Sequence, residues 1–456
     1  MQTVLKKRAA GVLLHISSLP GPGVHGNFGQ DAYRFIDFLA ASGFSYWQIL
    51  PTGPTDCSFS PYQSSSAFAG NSLFICLHHV ADMALLPADL THAHNRQAHH
   101  HRLKLAFEQF KHTAQATFHS EFQQFCQQEQ RWLIDYAAYC AFKQHFDGQA
   151  WYHWPNDIRT RQADALQTLS AQLQDDIDFY CFEQWLYDKQ YSALNAYARS
   201  QNVELIGDMA IFVAHDSADV WQQPALFQLN EQSEMLAVAG VPPDYFSTEG
   251  QRWGNPLYNW DEMQKDDFQW WLLRINHLLR HAALIRIDHF RGFEACWEIP
   301  AHDNTAINGH WHKVPGKKLF KRLTEDHSHL PIIAEDLGLI TPDVIALRDS
   351  FKLPGMKILQ FAFDSDNHNP YLPHNHVKNC VVYTGTHDNN TSLGWYQALS
   401  AHEKERIAHY LGNPQEDMPW PLIRSALASV ADLAIVPLQD LLELDATHRM
   451  NTPGTT

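Results

Sequence analysis

Long apolar runs are missing from this sequence. No stretch approaches the ~18–20 consecutive apolar residues of a membrane span, so a soluble chain without a membrane partner is expected. The basic start from Met1 to Arg8 leads into Ala9–Leu14, but His15 and two serines interrupt the run before it reaches secretory length, which argues against a signal peptide. Basic charge is scarce as well: 33 Lys and Arg stand against 50 Asp and Glu, a formal net charge of −17. Phosphate binding needs a cationic face, so nucleic acid is not an expected partner. Cysteine is sparse, and Cys57, Cys76, Cys126, Cys140, Cys181, Cys296 and Cys380 are odd in number, scattered and never spaced C-x-x-C. They read as reduced thiols of a cytoplasmic chain. There is no internal repeat of 20–50 residues and no convincing interdomain linker.

What is present is a large apolar inventory. A hydrophobic content of 45% supports a substantial core, and 12% aromatic residues exclude a disordered chain. The excess lies in 14 Trp and 29 His, rings with a polar edge that suit polyhydroxylated ligands, whose C–H faces pack on π-faces while their hydroxyls need hydrogen bonds. At 456 residues the chain is long enough for about three domains or for one decorated barrel.

Eight short apolar, β-branched runs decide between these. They are 12–15, 46–50, 204–208, 283–288, 332–335, 356–360, 381–384 and 433–437, each ending in or near Gly, Pro or an acid and separated by helical patterns. Such runs read as buried parallel strands, and eight of them predict a (β/α)8 barrel. In that architecture polar residues at strand C-termini reach the site, which singles out Asp208, Asp288, Glu335 and Asp388. Two stretches exceed one strand and one helix. Residues 81–202, rich in Gln, His and Ala, predict a helical insertion, and 230–260, dense in Gly, Pro and aromatics, predicts a long substrate-covering loop.

Several patterns resolve to bland readings. Gly21-Pro-Gly23-Val-His-Gly26 matches G-x-G-x-x-G, but Pro20 and Pro22 block the tight turn, the next helix begins only near Asp31, and no acid follows at the required distance. His92, His94, His99, His100 and His101 lack a Cys or carboxylate to complete a metal ligand set and read as solvated surface. Trp132, Trp185 and Trp221 sit in helical apolar stripes and read as core.

The carboxylates differ. Arg286-Ile-Asp288 places a cation and an acid two residues apart at a strand end, pointing the same way, so Arg286 can hold Asp288 ionised. Glu335 follows the apolar run Ile332–Ala334, where partial burial would raise its pKa and make it a proton donor. An ionised acid beside a protonated one is the pair needed to break a glycosidic bond. His387-Asp388 adds a third acid at a third strand end. One such acid alone would read as a salt bridge or helix cap, whereas three at successive strand ends do not.

With these motifs in hand the chain resembles the 4-α-glucanotransferases of the amylomaltase type (disproportionating enzymes, glycoside hydrolase family 77), a branch of the α-amylase superfamily. The resemblance covers nearly the whole chain: residues 14–21, Ser60-Pro-Tyr-Gln63, 66–71, Ile206-Gly-Asp208 through Trp221, 238–247 running on to Gln251–Tyr258, Arg286–Gly292, Ala334–Gly338, Gly385–Asn389 and Asn451–Thr455. It implies that Asp288 is the nucleophile, Glu335 the general acid and base, and Asp388 the transition-state stabiliser. It further implies that Arg286 and His387 orient the sugar, that Tyr62 stacks on it, that Asp208 bonds its outer hydroxyls, and that the loop around Trp253 to Asn255 closes over the glucan. Asn451 joins the substrate-binding set. No organic cofactor or essential metal is implied, and the expected partners are an α-1,4-glucan donor and a glucose or maltooligosaccharide acceptor. An α-glucan hydrolase using the same acids is the enzymatic alternative; a glucan-binding protein that lost its chemistry is the other, and predicts that one acid would be replaced. Ala210 stands where the family has proline, and Val24-His-Gly-Asn27 is unusual in its loop. The chain ends at Thr456 where relatives continue, so the final barrel helix is expected to be absent and the strand near Val436 to lose cover, giving a destabilised form. An N-terminal extension of the kind some bacterial relatives carry is not expected before the barrel.

Overall fold

The strands of the computed structural model are β1 (Ala9–Leu13), β2 (Tyr46–Gln48), β3 (Glu204–Met209), β4 (Ala237–Val241), β5 (Gln251–Pro256), β6 (Leu284–Ile287), β7 (Ala295–Pro300), β8 (His310–Lys313), β9 (Ile332–Ala334), β10 (Gly355–Ile358), β11 (Cys380–Tyr383) and β12 (Leu433–Pro437). The structure describes residues 5–453 except 6, 22, 24, 56–58, 113–114 and 244–246. The start of the basic segment, Cys57, Pro22 and Val24 of the glycine-rich motif, part of the expected lid and the end of the Asn451–Thr455 segment therefore lie outside the described residues.

Eight of the strands close into a parallel barrel in the order β1-β12-β11-β10-β9-β6-β3-β2. These are the eight apolar runs, and their alternation explains what the barrel mouth carries. Leu284 packs inside the barrel with Ile206 and Ile333, while Ile285 and Ile287 face the helical layer. Side chains repeat every two residues along a strand. The next inward positions after Ile206, Leu284 and Ile333 are therefore Asp208, Arg286 (with Asp288 beyond it) and Glu335, which brings the charged groups together above an apolar floor.

Helices Gln30–Ala41, Gln174–Ser200, Gln269–Leu279, Gly316–Asp326, Pro342–Ser350 and Trp420–Ala428 surround the strands. Between β10 and β11 two single 3-10 turns, Leu359–Phe361 and Pro373–Asn375, stand in place of a helix. The stretch between β2 and β3 is helical, including Arg96–His112, Ala116–Gln128 and Leu133–His145. Trp132 and Trp185 are buried there, and Trp221, on the helix Ala218–Gln222 that follows β3, is buried against Tyr139 and Phe142 of the same insertion, because an indole packed among helices removes a large apolar area from water. His99 is buried too and bonds the Ile75 carbonyl at 3.0 Å through Nε2; burial lowers its pKa to about 4. Val436, expected to lose its cover, is fully buried in β12 between β1 and β11.

The region 230–260 is not a plain loop. It contains β4 and β5, which join β7 and β8 in a four-stranded sheet of order β5-β4-β7-β8. β4 pairs antiparallel with nearby β5 on one side and with distant β7 on the other, Ala237 opposite Pro300 and Gly240 opposite Trp297. That distant partner is why the Gly- and Pro-rich local pattern does not announce a strand. A side chain at Gly240 would place its Cβ 2.1 Å from the Gln251 carbonyl oxygen, so close approach of β4 and β5 requires glycine.

Candidate active site

Arg286 is the hub of the barrel mouth. It is 2% exposed; its Nη1 donates to both oxygens of Asp208 at 2.8 Å, and its Nη2 to Asp288 Oδ1 at 3.0 Å. A guanidinium buried between two carboxyls satisfies charge and hydrogen-bond geometry together. Asp208 lies on the neighbouring strand, in register with Arg286. Burial raises the pKa of Asp208 and of Asp288, and Arg286 opposes that rise in both. The expected pull of Arg286 on Asp288 is therefore real but does not outweigh burial. Protein surrounds Asp288, yet 30% of its side chain remains open to the cleft.

Glu335 stands differently. Its Oε2 accepts the His289 N–H at 2.6 Å and its Oε1 the Leu337 N–H at 3.3 Å, with no guanidinium hydrogen bond among the described residues. Burial lifts its pKa to about 8; Arg286 works against the rise and the Asp288 charge adds to it. Of the two facing carboxyls, only Asp288 has a guanidinium donor, so the pair gives up its first proton there and Glu335 keeps the second at neutral pH. The adjacent Asp336 accepts the Met356 N–H at 2.7 Å and pairs with Arg348. It ties β9 to β10 and leaves Glu335 as the acid that faces the cleft.

The third acid closes the ring of contacts. Tyr62 donates its hydroxyl proton to Asp208 Oδ2 at 2.7 Å. Having given that proton, it accepts from His387 Nε2, also at 2.7 Å. The two rings stack at 5.5 Å with an interplanar angle of 11°. Burial lowers the His387 pKa and Asp388 opposes the fall, and its Nε2 lies 3.2 Å from Asp388 Oδ2. Asn451 Nδ2 donates to Asp388 Oδ1 at 2.7 Å, and Arg449 Nη2 to the Asp388 carbonyl at 2.9 Å.

Nine of the ten residues singled out in the sequence thus meet in one region: Asp208, Arg286, Asp288, Tyr62, His387, Asp388 and Asn451 through hydrogen bonds and ion pairs, Glu335 through the backbone of His289, and Trp253 by an edge contact with the His289 ring at 4.8 Å. Asn255 stands apart. It is 5% exposed and its amide is bonded to the Val213 carbonyl at 2.9 Å, so it anchors the end of β5. Two contributors escaped sequence reasoning. His289 holds a left-handed backbone (φ 50°) that aims its N–H at Glu335, and burial lowers its pKa to about 3, leaving the ring neutral. Its position directly after Asp288 was the available signal. Arg449 had none, because its partner lies 61 residues away.

A buried acid of raised pKa near an arginine-held carboxylate, at the C-terminal mouth of a (β/α)8 barrel, is the equipment of an enzyme acting on glycosidic bonds. Comparison with known proteins makes the class particular. The family model for 4-alpha-glucanotransferase (glycoside hydrolase family 77) matches residues 14–456, and the chain belongs to that family. The 4-alpha-glucanotransferase of Thermus thermophilus is 47% identical over 98% of this chain and 93% of its own length. The chloroplastic/amyloplastic 4-alpha-glucanotransferase of Solanum tuberosum is 40% identical over 98% of this chain and 81% of its own. The solved structure of amylomaltase from Streptococcus agalactiae in complex with acarbose superposes with a TM-score of 0.95 at 38% identity, covering 98% of this chain and 93% of that one. The family activity is 4-alpha-glucanotransfer. No described helix is long and apolar enough to cross a membrane.

Proposed function

We propose that the transfer runs as a double displacement in which Asp288 is the nucleophile and Glu335 the proton shuttle. Asp288 Oδ1 is engaged by Arg286, so attack on the anomeric carbon falls to Oδ2. The bond from that carbon to the glycosidic oxygen breaks as Glu335 delivers its proton to the leaving oxygen, and a glycosyl-Asp288 ester forms. An acceptor 4-hydroxyl then gives its proton to the Glu335 carboxylate and displaces Asp288, restoring both groups with net retention. Asp388, His387, Tyr62, Asp208 and Arg286 bind the sugar at the cleaved bond, and a bound inhibitor such as the acarbose of the Streptococcus relative would lie against them. The observation that carries this reading is the split between the carboxyls: Arg286 on Asp288, and a pKa of about 8 on Glu335.

Transfer must outcompete water, which requires a covered acceptor site. Trp253 on β5, half-buried against Phe212 and His289, is the candidate cover; residues 244–246 of the wider segment lie outside the described residues. The described cysteines are all free thiols, which supports residence in the cytoplasm.

Incubation with maltotriose tests the transfer, and peptide mapping of a trapped intermediate tests the residue roles. Glucose together with chains longer than maltotriose is expected, and a glycosyl adduct on the peptide containing Asp288. Glucose and maltose alone would overturn the covered-acceptor reading. An adduct on Asp208 or Asp388 would overturn the assignment of the nucleophile.

A further inference from the structure

The second sheet carries a cluster that the glucan chemistry does not use. On edge strand β8, His310 and His312 are two residues apart, so both imidazoles project from one face. On the antiparallel neighbour β7, Glu298 pairs directly with His310, and Cys296 with His312. Paired residues share a face, so Glu298 lies beside His310 and diagonally across from His312. One donor atom from each of Glu298, His310 and His312 lies within 4.8 Å of the others. His312 Nδ1 and Glu298 Oε2 are 3.6 Å apart, beyond a hydrogen bond. Glu298 Oε2 is buried without a hydrogen-bond partner, and no Lys or Arg among the described residues pairs with it. A carboxylate oxygen held dry beside two imidazoles, with no hydrogen bond of its own, is an incomplete arrangement.

The geometry points to a divalent transition-metal site at Glu298, His310 and His312, of the borderline class typified by Zn2+. Two imidazoles and one carboxylate suit Zn2+ and disfavour Mg2+ and Ca2+, which take oxygen ligands. With metal–ligand bonds of about 2.0–2.2 Å, tetrahedral donors lie roughly 3.3–3.5 Å apart. Both imidazoles are exposed, so side-chain rotation suffices to close the triangle. Cys296 is not a fourth ligand: its thiol lies 3.8 Å from the His312 carbonyl, to which it donates. Water takes the remaining position. The ion binds outside the barrel and bridges β7 to β8, in the sheet that also holds β5 and Trp253. Its effect is to hold the edge strand in place, with no part in bond cleavage.

Metal-free enzyme is equilibrated with micromolar Zn2+ and bound metal counted, for the wild type and for a His310→Gln/His312→Gln variant whose maltotriose turnover without added metal matches wild type. The wild type should retain one more equivalent of Zn2+ than the variant, and Zn2+ should raise the melting temperature of the wild type alone. Glu298→Gln should weaken the same equivalent at least tenfold. Mg2+ should give no such difference. Equal stoichiometry in wild type and double variant would overturn the site and assign any bound Zn2+ to other surface histidines, such as those between His92 and His101. Loss of the equivalent in the double variant together with unchanged affinity in Glu298→Gln would overturn the carboxylate's place in the site.

Discussion

Replacing Glu335 by Gln tests the acid assignment because it removes the transferable proton while keeping the shape and an acceptor for the His289 N–H. General acid–base catalysis contributes typically 10²–10⁴-fold, or about 3–5 kcal/mol of barrier, so kcat/KM for maltotriose should fall by that factor. The structure adds a signature that a packing defect would not produce. Glu335 must be protonated in the free enzyme, and burial sets its pKa at about 8. Wild-type kcat/KM should therefore decline as pH rises through about 8, an apparent value that belongs to the coupled Glu335–Asp288 pair, and this limb should vanish in the variant. An α-maltosyl fluoride donor needs little protonation to depart, so the first fluoride equivalent should be released from the variant within about tenfold of the wild-type rate. Later turnovers should be slow, because the second step lacks its base. Azide, which needs no base, should speed them and yield an α-configured glycosyl azide. The reasoning fails if the first turnover of the fluoride loses as much as maltotriose does, or if the alkaline limb persists.

Three further outcomes follow from the same contacts. Arg286→Met leaves the buried Asp208 carboxyl without its guanidinium and should cost about 3–5 kcal/mol of stability; adding Asp208→Asn should restore most of the lost melting temperature but not activity, and no recovery would mean that stranded charge is not the cause. Asn451→Ala removes the 2.7 Å bond to Asp388 at an exposed position, so kcat/KM should drop roughly five- to tenfold while the melting temperature stays within a degree or two, and unchanged kinetics would remove Asn451 from the site. Glu335→Gln should also change the pH dependence of stability. Because the folded pKa of Glu335 lies above the ordinary 4.5, the wild type loses stability as pH rises from about 4.5 to about 8, by a few kcal/mol in total, and the variant should be spared that loss in denaturant titrations; parallel stability–pH curves would refute the raised pKa.

The barrel was legible because each of its strands is a short, apolar, locally complete signal. Once Leu284 is inside, a period of two forces Arg286 inside as well, and the acids at the strand ends follow from the same count. The sheet β5-β4-β7-β8 was not legible, since β4 pairs with a strand more than 50 residues away and its own sequence alternates poorly. Asn255 shows the same limit. The resemblance put it among the substrate-binding residues, whereas its contacts in the fold are to Val213, 42 residues away, whose carbonyl takes its amide, and to Gln63, whose amide its oxygen accepts at 3.5 Å. Glu298, His310 and His312 formed no sequence motif because their grouping depends on the register of β7 against β8.

The sequence by itself determined the strand order along the chain, the acids that reach the barrel mouth and the family to which they point, because period and patterning are local properties. The apolar run before Glu335 already suggested it as the proton donor, but only the tertiary structure supplies the burial and the neighbouring charges that set its pKa. A carboxyl's pKa depends on the water it has lost and on charges brought close in space, and here the closed barrel buries Glu335 while placing Arg286 between Asp208, 78 residues away, and Asp288.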